Sequence, residues 1–225
     1  MINIVYTNSS CKDVFNLFKI QHNQFSKLPL FVISDYEGNY IYNNADPYYK
    51  HWLNALEQIE DDYFIYNQED FLLYDNISLT ELDRLKNFLI NNPKYSFARL
   101  IKSGQNLPQC EVEKSIFPIG YKSYPLYSMQ ATLWNKNRFI ELYKHTMQHK
   151  WFESEDYEAS CRILNIEGIY YYNNESVRGG HYDSSIYPYV ATAVVKGRWN
   201  LSEYPLELGN ILSKNKININ IRGTV

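Results

Sequence analysis

The sequence has little glycine and cysteine, no excess of basic residues and no long apolar run. Its 225 residues include 22 Lys and Arg against 25 Asp and Glu, for a formal charge of -3. This balance excludes the basic surface of a general nucleic-acid-binding protein, so we expect no nucleic-acid partner. No stretch of about 18 uncharged apolar residues occurs, so the sequence predicts no membrane span.

The three cysteines, Cys11, Cys110 and Cys161, are odd in number and far apart in sequence. A disulfide framework or a zinc knuckle is therefore not expected, and reduced thiols fit a cytoplasmic protein. The segment 1–6 has a short apolar run without a preceding basic region, so we predict no signal peptide. Cytoplasmic localisation is the resulting expectation.

Aromatic residues are abundant, with 22 Tyr, 11 Phe and 4 Trp, which supply ample apolar area for a buried core. Apolar runs at 2–6, 30–34 and 63–66 predict buried strands, and the helical spacing over 12–25 predicts a helix between the first two. This alternation is typical of an α/β fold with a central, mostly parallel sheet flanked by helices. No linker divides the chain, so we predict a single domain over 1–225.

Local signals mark further helices. Asp46 followed by Pro47 predicts a capped helix with proline in its first turn. Ser78 and Glu81 have the spacing of a capping box. Further helices are expected over 135–147 and 154–164, and a strand over 169–172. The segment 104–127 and the last fifty residues show weaker periodicity.

The strand at 63–66 leads into two adjacent carboxylates, Glu69 and Asp70, flanked by apolar residues. Open α/β sheets bind ligands at the carboxyl ends of their strands. Burying such carboxylates is costly unless a partner compensates, and divalent cations bind oxygen ligands of this kind. A solvated acidic turn is the alternative interpretation.

A second acidic group, Glu153, Glu155, Asp156 and Glu158, lies at the start of the predicted helix 154–164. A carboxylate at such a position can act as a general base. Favourable interaction with the helix dipole would also place acidic residues there. Composition does not separate the two interpretations.

Together these segments resemble motifs of nucleotide-sugar-dependent glycosyltransferases of the GT-A fold, which is Rossmann-like. The segment 63–71 is similar to the strand and acidic pair of the family's DxD motif, with Glu69 where Asp is usual. The segment 155–164, followed by Gly168, resembles its Glu-Asp motif. Segments 127–134 and 196–199 resemble small capsule-type and viral members, and the likeness covers residues 1 to about 200. The missing Gln-x-x-Arg-Trp motif argues against a processive polysaccharide synthase.

The resemblance implies a nucleotide-binding half over 1–100 and an acceptor and catalytic half over 101–225. Donor binding is expected from residues that follow the strands or lie in the last fifty residues: Thr7, Asn8 and Ser9 at the nucleotide, Asp35 at the base or ribose, Glu69 at the ribose or metal, and Arg178 and Lys196 near the diphosphate.

The resemblance also implies a metal ion and a catalytic base. Asp70 would bind Mn²⁺ or Mg²⁺, with His181 as a second candidate ligand in the diphosphate region. Asp156 would be the general base, and Glu155 and Glu153 are the neighbouring candidates.

The activity implied is transfer of a sugar from a nucleotide-diphosphate sugar to a hydroxyl of a glycan or other acceptor, with inversion because a single base is expected. A nucleotidyltransferase would carry a glycine-rich basic loop after the first strand, and the segment 7–12 has no glycine. A dinucleotide-dependent oxidoreductase is disfavoured for the same reason. A non-catalytic glycan-binding or decayed transferase-like protein is the alternative of a different class.

Overall fold

The computed structural model describes residues 1–103, 110–120, 122–146 and 154–225. Within them the strands of the largest sheet are β1 (Ile2–Tyr6), β2 (Leu30–Ser34), β3 (Tyr40–Ile41), β4 (Tyr63–Gln68), β6 (Tyr95–Arg99), β7 (Ile116–Ile119), β8 (Thr132–Asn135) and β9 (Glu167–Tyr171). Three small pairs add β5 (Leu72–Leu73), β10 (Val177–Arg178), β11 (His181–Tyr182), β12 (Tyr189–Val190), β13 (Val194–Val195) and β14 (Arg198–Trp199). The α-helices are α1 (Lys12–Phe25), α2 (Tyr48–Leu56), α3 (Leu79–Asn91), α4 (Lys136–His145), α5 (Ser154–Ile163) and α6 (Glu207–Lys214).

The sheet runs in the order β3-β2-β1-β4-β8-β6-β9-β7. The pairs β3–β2, β2–β1, β1–β4 and β6–β9 are parallel, whereas β8 and β7 are antiparallel to their neighbours. This arrangement confirms the predicted α/β fold with a central, mostly parallel sheet flanked by helices. Among the helices described, none is long and apolar enough to cross a bilayer.

The alternation of side chains along β4 explains how helices cover both faces of the sheet. Phe64 and Tyr66 pack against Trp52 of α2, with ring centroids 6.2 and 5.1 Å apart, and Phe139 of α4 packs on Phe64. Asn67, the residue after Tyr66, points to the other face, where its partner Asn3 contacts His22 of α1. Each face is therefore buried by a different set of helices.

A buried polar network crosses the centre of the sheet on the α1 face. Asn67 donates to the Asn3 side-chain oxygen at 3.1 Å, and the Tyr187 hydroxyl, with one hydrogen to donate, lies 3.1 Å from the Asn3 oxygen and 2.9 Å from the Asn67 oxygen. The Asn3 amide nitrogen contacts His22 at 3.0 Å and Ser26 at 3.1 Å. Mutual hydrogen bonds offset the cost of burying these groups.

Several predicted boundaries are confirmed, including β1, α1 and β2 to the residue and the Ser78 cap, whose hydroxyl accepts from the Glu81 amide. The predicted cap of α2 is wrong. Pro47 occupies the N-cap position, and Asp46 forms an ion pair with Lys50 instead, at 2.7 Å. Short strands and α6 occupy parts of the two segments in which weak periodicity was noted.

Candidate functional site

The order of the strands creates a crevice at one edge of the sheet. From β1 the chain moves outward to β2 and β3, then returns to place β4 on the other side of β1. Ligands of open α/β sheets bind outside the carboxyl ends of the strands at such a switch point. The residues following β1, β2 and β4 meet here, and they include the predicted Thr7–Ser9, Asp35 and Glu69–Asp70.

The loops after β1 and β2 are held together by Asp35. Its carboxylate accepts from the Ser9 amide at 2.6 Å, the Ser9 hydroxyl at 2.8 Å and the Asn44 side chain at 3.1 Å. Burial acts to raise the pKa of Asp35, but the hydrogen bonds from Asn44 and Ser9 hold it below the ordinary value. Asn8 caps the short 3-10 helix Ser9–Cys11 by accepting from the Ser10 amide. The loop is thus built on an ionised Asp35.

Two buried hydroxyls border this loop. The Thr7 and Tyr36 hydroxyls make no well-formed hydrogen bond to any residue in the described part of the chain. The Tyr36 ring is covered by the Lys12 ammonium at 4.6 Å from its centroid. Burial raises the pKa of Tyr36, whereas hydrogen bonding with Thr7 acts to lower it. The two hydroxyls therefore partly satisfy each other, and a polar ligand at this position would complete their hydrogen bonds.

Glu69 and Asp70 extend β4 into the same crevice. Burial raises the pKa of Glu69, whereas hydrogen bonding to the Cys11 thiol and the Arg222 charge lower it. Burial, followed by the nearby Glu69, raises the pKa of Asp70 to about 7, although the Val194 amide acts against this. Among the residues described, no Lys, Arg or His forms an ion pair with either carboxylate. These adjacent carboxylates therefore have no direct ion-pair partner in the described chain, and the Arg222 charge acts on Glu69 only at longer range.

Arg222 is a site residue that the sequence did not reveal. It pairs with Asp13 in the first turn of α1 through two nitrogens, at 2.5 and 2.6 Å, and its charge acts on Cys11 and Glu69. The two paired residues are separated by 209 positions. An isolated arginine near the end of the sequence carries no local signal of such a contact.

Lys196 lies at the tip of the β13–β14 hairpin. Lys196 and Gly197 have φ of 49° and 78°, the left-handed conformation that a two-residue hairpin turn requires. The base of the hairpin contacts Asp70, because the Ala193 amide donates to the Asp70 carbonyl at 3.3 Å. Lys196 is exposed three residues further along the chain.

The predicted base Asp156 lies with Glu155 in the first turn of α5. The next residue, Tyr157, is buried against the Tyr127 and Tyr143 rings, at 5.1 and 4.7 Å, which fixes the start of the helix. Glu155 is exposed and Asp156 is half-buried, whereas Glu153 lies outside the described residues.

Buried tyrosines connect Asp156 to the acidic pair on β4. Burial raises the pKa of Tyr157, and the neighbouring Tyr66 and Asp156 raise it further. Burial likewise raises the pKa of Tyr66 to about 12, with Glu69 and Asp70 contributing. The Tyr66 hydroxyl accepts from the Gln68 amide at 3.0 Å. Tyr66 is therefore within electrostatic reach of the β4 carboxylates and of Tyr157.

Arg178 and His181 lie opposite each other in the β10–β11 hairpin. Arg178 forms ion pairs with Asp183 at 3.2 Å and with Glu207 at 2.5 Å. His181 contacts the Gln130 amide at 3.2 Å, and its pKa is lowered first by burial and then by the Arg99 charge. No described contact joins either residue to Asp70, so their predicted roles stay predictions.

The described residues contain no group of three or more His, Cys, Asp or Glu arranged to hold a metal ion. Mg²⁺ is commonly bound by one or two carboxylates together with substrate phosphates. Glu69 and Asp70, with oxygen ligands and little compensating charge, fit an ion that binds together with a phosphate-bearing ligand.

No protein-family model matches the sequence, and no curated protein sequence matches it. Solved structures of similar fold include a cytidylyltransferase from Leptospira borgpetersenii, at 12% identity over 100% of this chain and 97% of that chain, with a TM-score of 0.47. Another is S. aureus TarS 1–349, at 13% identity over 86% and 61% of the two chains, with a TM-score of 0.48. A third is a CMP:2-keto-3-deoxy-manno-octonic acid synthetase complexed with CTP, at 11% identity over 76% and 88%, with a TM-score of 0.44. Likenesses this distant assign no activity to the chain.

Proposed function

We propose that this protein is a metal-dependent glycosyltransferase that moves a sugar from a nucleotide-diphosphate sugar to an acceptor hydroxyl, with inversion. The observation that carries the proposal is the acidic pair Glu69–Asp70 at the switch point between β1 and β4. These carboxylates have no ion-pair partner among the described residues, and a half-buried carboxylate, Asp156, is connected to them through tyrosines. The pair Glu69–Asp70 at the strand end suits binding of a metal ion, and Asp156 at the start of α5 suits the role of general base.

The donor nucleotide is assigned to the loops after β1 and β2. The Thr7 and Tyr36 hydroxyls, which make no well-formed hydrogen bond to a described residue, offer hydrogen bonds to a base or ribose, next to the Ser9–Asp35 contact. Lys12, which lies over the Tyr36 ring, and Arg222, whose charge acts on Glu69, would supply positive charge for the diphosphate, with Lys196 at the tip of the β13–β14 hairpin as a further candidate. The crevice offers hydrogen-bonding groups for a base and a ribose and positive charge for a diphosphate, so a nucleotide-diphosphate donor fits it.

Asp70 would bind Mn²⁺ or Mg²⁺, with Glu69 contacting the ion or the ribose. Such an ion supplies a Lewis acid that neutralises negative charge on the departing diphosphate. Ionised Asp70 is disfavoured in the ligand-free protein because its pKa is raised to about 7. Ion binding should therefore be linked to loss of a proton from Asp70 near neutral pH.

Asp156 would accept the proton of the acceptor hydroxyl as the new glycosidic bond forms. Tyr157 positions it by anchoring the first turn of α5 in the aromatic core. Glu158 anchors the same helix by accepting from the Leu126 and Tyr127 amides, at 3.0 and 2.6 Å. A base on a rigid helix start can keep a constant distance from the donor.

The test is calorimetry of nucleoside diphosphates, with and without Mn²⁺, on the natural protein and on Asp70→Ala. We expect Mn²⁺ to strengthen binding of at least one nucleoside diphosphate to the natural protein, and Asp70→Ala to lose that gain. Asp75→Ala, an exposed acidic residue in a nearby loop, is the matched control and should keep it. Equal Mn²⁺ dependence in Asp70→Ala would remove Asp70 from the site. Nucleoside-diphosphate binding without any Mn²⁺ effect would refute a metal-dependent mechanism.

A further inference from the structure

A cleft of about 400 Å³ lies between the C-terminal part of α1 and α6. This volume is within the range of small-molecule sites. Eleven residues of α1 separate Asp13, beside the strand-end crevice, from Gln24 at the cleft, or about 16 Å along the helix. The cleft is therefore distinct from the proposed transfer site.

The side-chain amide of Gln21 is available to a ligand in this cleft. Gln21 lines it and is only 4% exposed, yet its side chain makes no hydrogen bond to a described residue. The hydroxyl of Tyr74, another lining residue, also makes none with the part of the chain described. A bound polar ligand would give both groups hydrogen-bond partners.

Glu207 gives the cleft a hydrogen-bond acceptor whose orientation is fixed by an ion pair. Arg178 donates to one carboxylate oxygen of Glu207 at 2.5 Å, whereas the other oxygen, Oε2, is buried without a hydrogen-bond partner in the described chain. Arg178 also pairs with Asp183, so its single charge is shared between two carboxylates and offsets only part of the charge of Glu207. The free acceptor oxygen suits a neutral hydroxyl donor.

We propose that this cleft binds a neutral saccharide unit. Gln21, Tyr74 and Glu207 provide donors and acceptors for sugar hydroxyls, and exposed Asn210 and Gln24 extend this polar lining. Apolar contact for the C–H face of a sugar ring comes from two further lining residues, Phe25 and Ile211. Because the one lining carboxylate is already paired with arginine, a metal ion is disfavoured. Lys214 is the one cationic residue among those lining the cleft, so a phosphate ligand is disfavoured as well.

The test is NMR titration of the full chain with glucose, galactose, N-acetylglucosamine and maltose, and with glycerol as a polyol that lacks a ring. At least one saccharide, at up to about 20 mM, should shift the side-chain amide signals of Gln21 and Asn210, since weak sites have millimolar Kd values. Gln21→Leu should lower the affinity for that saccharide at least tenfold. Gln58→Leu makes the same chemical change at an exposed residue outside the cleft and should not.

Asn210→Ala, at an exposed lining position, provides a second variant if Gln21→Leu does not fold, and should weaken binding at least threefold. Absence of shifts with all four saccharides, or shifts equal to those with glycerol, would overturn the proposal. Saccharide binding with unchanged affinity in Gln21→Leu and Asn210→Ala would also overturn it. These outcomes do not depend on nucleotide or Mn²⁺ binding, so they are distinguishable from failure of the proposed transferase activity.

Discussion

Replacing Asp70 by asparagine should stabilise the ligand-free protein above neutral pH, although it should also remove metal-dependent nucleotide binding. The carboxyl group of Asp70 has a pKa raised from 3.8 to about 7 by burial and by Glu69. Ionising the Asp70 carboxyl group therefore costs more free energy in the folded protein than in the unfolded chain. Asparagine keeps the shape of the side chain and removes the charge.

The sign and size of the effect follow from proton linkage. Between pH values of about 4 and 7 the folded protein keeps a proton on Asp70 that the unfolded chain has released. The free energy of unfolding should therefore fall as pH rises through this window and level off above it. The pKa of Asp70 is raised by about 3 units, and each unit corresponds to about 1.36 kcal/mol. Asp70→Asn can therefore raise the free energy of unfolding at pH 8 by at most about 4 kcal/mol. The corresponding ceiling at pH 5 is about 1.5 kcal/mol.

The assay is urea unfolding of the natural protein and Asp70→Asn at pH 5 and pH 8, with divalent ions removed. Asp35→Asn is the comparison of opposite sign, and it should lower the free energy of unfolding by the same amount at pH 5 and pH 8. The pKa of Asp35 is held low by Asn44 and Ser9, so its stabilising contribution is present at pH 8 and is lost as pH falls through that depressed value. Lower stability of Asp70→Asn than of the natural protein at pH 8, or an equal gain at pH 5 and pH 8, would refute the reasoning.

Three further substitutions test the site and the core. Asp156→Asn should lower kcat at least tenfold while leaving donor affinity unchanged, as measured by steady-state kinetics and calorimetry; full turnover in this variant with loss in Glu155→Gln would move the base to Glu155. Asn67→Ala should lower the free energy of unfolding by about 1–3 kcal/mol because it leaves buried partners without hydrogen bonds, and urea unfolding with no loss would contradict that account. Gly168→Ala should lower it by about 1–3 kcal/mol, since a Cβ there would lie 2.2 Å from the Phe97 ring; unchanged stability would show that the ring moves at no cost.

Local patterns were sufficient to predict the first two strands and the helix between them. The strands β1 and β2 and the helix α1 are short continuous apolar runs or regular helical spacings, and each is recognisable without its neighbours. The antiparallel β8 was missed because its four residues, Thr132–Asn135, form a strand by pairing with β4 and β6. Such pairing is determined by tertiary contacts rather than by local propensity.

The candidate site likewise has residues that local patterns predict and residues that only the tertiary structure reveals. Asp35, Glu69 and Asp70 follow predicted strands, so the sequence could place them at one edge of the sheet, and the strand order brings that edge together at β1 and β4. Arg222 could not be placed, because its contact with Asp13 depends on how the end of the chain folds back. The lack of a well-formed hydrogen bond from the Thr7 hydroxyl to a described residue and the raised pKa of Asp70 depend on burial, which no local pattern specifies.

The most direct test of the transferase proposal is a donor screen with mass detection of the released nucleotide. The protein, with Mn²⁺ and a panel of nucleotide-diphosphate sugars, should release nucleoside diphosphate from at least one donor, and Asp70→Ala should not. Release of pyrophosphate from a nucleoside triphosphate and a sugar phosphate, with every nucleotide-diphosphate sugar left intact, would contradict the proposal and indicate a nucleotidyltransferase.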